Sequence, residues 1–243
     1  MPTLILTPRY TDDSQALWRA AIDLGWDVER LTRWDVPAHL LEISEPVLYL
    51  EALMAPLLAE QFKLRLLEPP EDWLPQLPKP YRQRSIHLQT LEQAKQLNTT
   101  AFIKPPNDKS FPARIYSSDE LPDGYPDETP VLISEIVQWK KEFRCFILNR
   151  TLKTFSIYLR EGVLQRQQGF AHTPEEEQEL LEFVNTVLAD DQVQLPVTAV
   201  LDVGIIQNRG WAVVEQNAAW GAGIYGCDPM QVLEVLRYAA VPA

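Results

Sequence analysis

The sequence predicts an α/β fold in two parts, and three observations carry that expectation. Strand, helix and strand signals alternate within the first 31 residues. A proline-dense stretch over 68–85 then interrupts regular structure. Beyond residue 100, short β-type segments recur between turns, broken by one long amphipathic helix pattern. At 243 residues the chain can bury most of its unfolded surface without a disulfide or metal staple.

Leu4-Ile5-Leu6 reads as a buried strand. Thr11 caps a helix of about a dozen residues, with Leu17, Ala21 and Leu24 on one side and Gly25 as its stop. Val28 to Leu31 is the next strand, so the chain opens as a βαβ unit. Strands over Val47–Leu50 and Leu64–Leu67 flank a helix near Leu53–Phe62, and Trp18, Trp26 and Trp34 are expected to pack in this first part. Pro69, Pro70, Pro75, Pro78 and Pro80 forbid a continuous helix or central strand, which marks a linker and a domain boundary. The expected division is 1–83, including the linker, and 84–243.

A short helix is expected over Leu91–Leu97. Strands follow at Ala101–Lys104, Ala113–Tyr116, Val131–Glu135, Glu142–Leu148 and Thr154–Leu159. Thr173-Pro174-Glu175-Glu176 is a capping box with proline at the first helical position, and Leu180, Leu181, Val184, Val187 and Leu188 form the helix stripe. Ala199–Val203 and Trp211–Val214 are strands joined at Asn208-Arg209-Gly210, a hairpin signal. A last helix is expected from about Asp228 to Ala240.

Composition narrows the function classes. Lys plus Arg is 22 against 34 Asp plus Glu, a formal charge of −12, which disfavours nucleic acid and anionic membranes as partners. Two cysteines and three histidines offer no Cys-x-x-Cys or His-x-x-x-His pair, against structural zinc and metalloprotease chemistry. No apolar run approaches the ~18–20 residues of a membrane span, and the N-terminus lacks a basic leader. A cytoplasmic protein with reduced thiols is the expectation.

Three segments carry chemistry. Residues two apart on a strand share a face, so Glu215 and Asn217 point the same way, and Asp202 is expected at or near the end of the strand paired with theirs. Three such oxygen donors suit Mg²⁺ bridging phosphates, although solvated strand ends have the same composition. Lys104 closes a strand before a non-helical loop that carries Lys109, and either can reach a phosphate or simply lie on the surface. In Glu142-Phe143-Arg144-Cys145-Phe146-Ile147, Phe143, Cys145 and Ile147 read as core, while Glu142 and Arg144 share the other face. That pair is open to a plain ion pair or to ribose and phosphate contacts.

The order Lys, loop, Glu, Glu-x-Arg, Asp, Glu-x-Asn resembles the ATP-grasp superfamily of carboxylate–amine ligases. Glu142 lies seven residues beyond Glu135, and Glu215 thirteen beyond Asp202 with Asn217 two further on. The resemblance covers about residues 84 to 240. The run Lys104-Pro105 through Lys109-Ser110-Phe111-Pro112-Ala113-Arg114, with Glu142-Phe143-Arg144, is similar to one clade named for an arginine and two lysines. The segment Asn217-Ala218-Ala219-Trp220-Gly221-Ala222-Gly223-Ile224-Tyr225-Gly226 is similar to its C-terminal signature.

The resemblance implies a small Rossmann-like first domain followed by a two-lobed ATP-grasp region, with ATP and Mg²⁺ as cofactors. It places Lys104 on the α- and β-phosphates, Glu135 and the Val137 backbone at the adenine, and Glu142 at the ribose. It places Arg144 at the γ-phosphate, Lys109 with Lys104 as the two lysines that hold phosphates, and Asp202, Glu215 and Asn217 on the metal. The implied reaction joins a small-molecule or peptide carboxylate to an amine through an acyl phosphate. An ATP-grasp phosphotransferase and a non-catalytic nucleotide-binding module are the alternatives, and a homodimer is left open. Two departures stand out. The loop Asn107-Asp108-Lys109-Ser110-Phe111-Pro112 has no glycine, and Val200 stands where D-alanine ligases place an arginine. Gly221, Gly223 and Gly226 are open to two readings, amides for an acyl-phosphate oxygen or ordinary turns.

Overall fold

The chain begins with β1 (Thr3–Leu6), α1 (Asp12–Asp23), β2 (Asp27–Arg30), β3 (Pro46–Tyr49), α2 (Ala55–Gln61) and β4 (Leu64–Leu66) in a computed structural model that describes residues 1–243. β1 pairs in parallel with both β2 and β3, giving the order β2-β1-β3. All four β1 residues are buried, as a parallel strand covered on both faces requires. Thr11 caps α1, its Oγ1 accepting from the Ser14 N–H at 3.0 Å while Ser14 Oγ accepts from the Thr11 N–H. Leu17 and Ala21 are buried, but Trp18 and Leu24 are exposed, so Trp18 is not the core residue expected.

The proline-rich segment is not featureless. It forms two single-turn helices, α3 (Trp73–Gln76) and α4 (Lys79–Arg82), and it buries Trp73, Leu74 and Leu77. There follow β5 (Ile86–Thr90), α5 (Leu91–Lys95), β6 (Ala101–Lys104), β7 (Arg114–Tyr116) and β8 (Pro130–Ser134). They form an antiparallel sheet ordered β5-β8-β6-β7. β5 has no counterpart in the sequence reading, because Ile86-His87-Leu88-Gln89-Thr90 follows prolines and carries little β-branched character.

A second antiparallel sheet contains β9 (Trp139–Leu148), β10 (Thr151–Arg160), β11 (Val163–Leu164), β12 (Thr198–Ile206) and β13 (Gly210–Asn217), ordered β11-β10-β9-β12-β13. Asn208 and Gly210 adopt positive φ in the β12–β13 turn. α6 (Pro174–Ala189) crosses one face of this sheet, where Phe143, Cys145, Ile147, Leu201 and Val203 pack with Leu180, Val184 and Val187. The opposite face contributes Phe146, Leu148 and Val200 to the core built around β1–β3 and α1. α7 (Pro229–Leu236) joins that core, and β14 (Ala240–Pro242) pairs with β4. The last helix is therefore shorter than expected, and its tail is a strand. No helix is long and apolar enough to cross a membrane.

Charged groups lock α6 to the sheet. Arg150 closes its C-terminal end by donating to the carbonyls of Leu188 (2.8 Å), Asp190 (2.6 Å) and Val193 (2.9 Å). At the other end Glu176 accepts from the Thr173 N–H at 2.9 Å and pairs with Arg160 and Lys141. Arg160 first, with Lys141 and the cap, holds the Glu176 carboxyl well below the usual carboxylate range against its burial. Glu176→Gln keeps the capping acceptor and loses the charge, so it is expected to cost about 1–3 kcal/mol at neutral pH. A depressed folded pKa stabilises above the unfolded value of about 4.3 and ceases to do so as pH falls through the folded value. The gap between wild type and Glu176→Gln in urea unfolding should therefore be full at pH 7 and shrink below about pH 4.

Candidate active site

A cavity of about 320 Å³ opens between the two antiparallel sheets, at the lower end of the ~300–1,000 Å³ typical of small-molecule sites. Phe102, Lys104 and Leu132 come from the four-stranded sheet, and Glu142, Tyr158 and Glu215 from the five-stranded one. Glu135 to Val137, in the connection between the sheets, form one wall. Ile136 and Val137 line the cavity, and their N–H and C=O groups pair with no other backbone group, which leaves them open to a ligand.

Behind Glu215, register brings the carboxylates together; of Arg144, Asp202, Glu215 and Asn217, only Glu215 lines the cavity. Arg144 on β9, Asp202 on β12 and Glu215 on β13 are direct cross-strand neighbours. Asn217 Nδ2 lies 3.2 Å from both Asp202 Oδ2 and Glu215 Oε1, so the three oxygen-bearing side chains converge on one place. Asp202 is mid-strand in β12, not at its end as expected, and it is fully buried. Of the two readings left open for Glu142 and Arg144, the ion pair between them does not form. Arg144 instead forks onto Asp202, Nε to Oδ1 at 2.9 Å and Nη2 to Oδ2 at 2.6 Å, and Nη1 donates to the Gly223 carbonyl at 2.9 Å. Alternate residues of one strand are ~7 Å apart, whereas cross-strand neighbours are about 5 Å apart, so the neighbouring strand supplies the nearer partner.

Glu142 takes a hydrogen bond from the Tyr158 hydroxyl at 3.0 Å, and burial pushes its pKa up to about 7. Tyr158 stacks on Tyr225, ring centroids 4.9 Å apart, and the Arg144 guanidinium lies over both rings. Lys104 forms an ion pair with Glu215. Burial acts to raise the Glu215 pKa, but Lys104 outweighs it and holds the group at about 2. Burial raises Asp202 above its ordinary value even against Arg144. Burial acts to lower Arg144, but Asp202 outweighs it and keeps the guanidinium protonated. The donor set therefore fits a hard divalent cation: two carboxylates and an amide that presents oxygen after a half-turn, with Lys104 and Arg144 already balancing their charge.

The remaining expected residues are placed differently. The Glu135 carboxylate accepts from the Ser85 N–H at 3.2 Å and pairs with Arg209. Arg209 first, then the Ser85 N–H, draws its pKa down to about 2. Its side chain clamps the connection to Ser85 and Arg209, and Ile136 and Val137 beside it line the cavity. Lys109 is exposed on the β6–β7 loop, forms no ion pair and does not line the cavity. Of the three clustered glycine amides, Gly226 donates to Ser156 Oγ at 3.1 Å and Gly221 to the Ala218 carbonyl, while Gly223 makes no such bond. A Cβ on Gly226 would stand 2.5 Å from Phe170 Cβ, so glycine there is a packing requirement. Arg84, Trp139 and Tyr158 line the cavity without having been singled out in the sequence. Arg84 lies in the proline-rich stretch with no periodic signal around it; it is buried, and burial draws its pKa down to about 10.

An ATP-grasp domain model, family 2 of the clade named for one arginine and two lysines, matches residues 81–235. This chain belongs to that ATP-grasp family. The match spans both antiparallel sheets and the cavity between them. Among solved structures, the chain is similar to D-cycloserine synthetase DcsG at TM-score 0.62 and 11% identity, covering 97% of this chain and 98% of that one. An L-amino acid ligase from Bacillus licheniformis aligns at TM-score 0.57 and 15% identity, over 98% of this chain and 74% of the other. A RimK domain ATP-grasp protein from Sphaerobacter thermophilus DSM 20745 aligns at TM-score 0.55 and 14% identity, over 98% of both chains. Identities this low show a shared fold. Among curated proteins, none matches the chain.

The Arg144–Asp202 pair gives a stability test. Asp202→Asn leaves a buried guanidinium without its countercharge and is expected to cost about 3–5 kcal/mol in urea unfolding. The apolar double replacement Arg144→Met with Asp202→Leu should be less destabilised than Asp202→Asn, because no buried charge then lacks a partner.

Proposed function

We propose that this protein of the ATP-grasp family is an ATP- and Mg²⁺-dependent ligase that joins a carboxylate to an amine, acting on an amino acid or peptide. The observation that carries the reading is the convergence of Asp202, Glu215 and Asn217 on one face, with Lys104 and Arg144 beside them and with Glu215 and Lys104 lining the cavity. The solved ligases of similar fold support it. Residues 84–243 form the nucleotide-binding region in this reading, and residues 1–83 form a first domain that bounds the acceptor side.

The free backbone edge at Val137, beside Glu135, receives the adenine. Glu142 receives ribose hydroxyls, and its pKa near 7 makes it both donor and acceptor at neutral pH. Lys104 holds phosphate oxygens, while Arg144, which the resemblance places at the γ-phosphate, is committed to Asp202 and the Gly223 carbonyl and so holds the metal ligand Asp202 in place. Lys109 is assigned to phosphate by its place in the sequence. Asp202, Glu215 and Asn217 hold Mg²⁺, which supplies charge neutralisation at the phosphates. In the first step a substrate carboxylate oxygen bonds to the γ-phosphorus and the bond to the β–γ bridging oxygen breaks, releasing ADP. In the second the amine nitrogen bonds to the acyl carbon, inorganic phosphate leaves and the amine gives up a proton. Positioning and charge stabilisation drive both steps, and no side chain acts as a covalent nucleophile.

Thermal unfolding with Mg-ATP tests the nucleotide part. A ligand at 100 times its dissociation constant adds about 2.7 kcal/mol, or roughly 5–10 °C for a chain of this size. Wild type should show a shift that needs Mg²⁺, and Glu215→Gln should lose most of it. ADP and phosphate release with amino acids and dipeptides, followed by mass spectrometry, tests the ligation. An amide product supports the ligase, a stable phosphorylated acceptor identifies a phosphotransferase, and binding without turnover on any acceptor points to a non-catalytic module.

A further inference from the structure

Between β12 and β13 the ladder shifts register. Val203 faces Val213, but Asp202 faces Glu215, so Val214 is an extra residue with no partner on β12. Without that shift Val214 would stand opposite Asp202, and Glu215 would turn toward the α6 side, where Val213 already packs. β13 is the edge of its sheet, so no further strand holds the bulge.

Arg84 holds it instead. Its Nη1 donates to the Val213 carbonyl at 2.8 Å and its Nη2 to the Val214 carbonyl at 2.8 Å. Successive carbonyls of a regular strand point to opposite edges, so one guanidinium can take both only where a bulge has turned them to the same side. The planar fork spans two acceptors, which an ammonium cannot do in the same geometry. Nη1 also donates to the Arg82 carbonyl at 3.0 Å, and the guanidinium lies over the Trp139 ring, 4.9 Å from its centroid. Arg84 is thereby fixed from the α4–β5 connection, from β9 and from β13 at once.

We propose that Arg84 is a positioning residue for the metal: by locking the Val213–Val214 bulge it keeps Glu215 aimed at Asp202 and Asn217. This rests on the reading of Glu215 as a metal ligand. The Lys104 ion pair alone does not set that aim, because a lysine leaves it when a phosphate competes for its charge.

The test is a Mn²⁺ titration by electron paramagnetic resonance with ADP as probe, alongside ADP binding in EDTA. Wild type, Arg84→Lys, Arg84→Met and Glu215→Gln are compared. Removing a group that supports a metal ligand typically weakens metal affinity about 10–100-fold. Both Arg84 variants should need about that much more Mn²⁺ while binding ADP in EDTA within about two-fold of wild type. If Arg84→Met does not fold, Arg84→Lys, which retains the charge and loses the planar fork, decides the matter. An equal loss of ADP affinity with and without metal overturns the proposal, since Arg84 then acts on the nucleotide directly. An unchanged Mn²⁺ requirement in the Arg84 variants, with a raised one in Glu215→Gln, overturns the Arg84 proposal alone. An unchanged requirement in Glu215→Gln overturns the metal assignment, and the role of Arg84 with it.

Discussion

The Arg144–Asp202 pair is the constraint around which the cleft is organised. Both side chains are almost wholly removed from solvent, in the centre of a sheet whose two faces belong to different cores. Burying two charges is costly, and the cost is offset only with good geometry and every remaining donor satisfied. Here the fork is bidentate, and Nη1 reaches the Gly223 carbonyl. The pair therefore does more than bind two strands. It ties β9 and β12 to the segment after β13, which in turn meets the first part of the chain where the Ile224 N–H donates to Asp13 Oδ2 at 3.0 Å. A one-residue slip of β12 against β9 would bury Arg144 without a partner, so the ion pair also specifies register.

Two bulges do the finer aiming. In β10, Ile157 faces Phe143 and Leu159 faces Glu142, which leaves Tyr158 unpaired and turned toward the cleft. In β13, Val214 plays the same part beside Glu215. Bulges concentrate beside functional sites because they re-aim a side chain without moving the rest of the strand. Both residues brought in this way meet at Asp202: the Tyr158 hydroxyl donates to Glu142 at 3.0 Å and lies 3.5 Å from Asp202 Oδ2, and Glu215 stands opposite Asp202. Gly204, opposite Glu142, is part of the same fitting, since a Cβ there would collide with the Lys141 carbonyl oxygen.

Charge in the cleft runs against the charge of the chain. With a net charge of −12 the surface repels anions. Around Glu142, Asp202 and Glu215, however, the fold gathers Arg84, Lys104 and Arg144. Each carboxylate answers differently to the same low-dielectric setting. Glu215, next to Lys104, stays ionised; Glu142, with only a tyrosine hydroxyl at hand, rises to about 7. The difference lies in the partner rather than in burial, which pushes both the same way.

Much of this was legible in the amino-acid order. Helix α1, the capping box of α6 and the β12–β13 turn are local matters, set by a cap hydroxyl, a proline or a residue at positive φ, and the chain states them directly. The shared face of Glu215 and Asn217 and the alternation that puts Phe143 and Cys145 in a core were equally readable, because strand periodicity is a property of the backbone. What the tertiary structure decided depends on partners far apart in sequence. Arg144 chose Asp202, 58 residues away, over Glu142 two residues away, because the sheet brings the former closer. Glu135 turned its carboxylate to Arg209, and Arg84, buried in a stretch that reads as linker, came to hold two carbonyls of a bulge that no periodicity announces. β14, which pairs with β4, likewise exists only because the fold returns the C-terminus there. Sequence by itself determined the elements and the residue types at the site; register, bulges and long-range charge pairing decided which of those residues meet, since these are settled by the energy of the packed chain and not by any local segment.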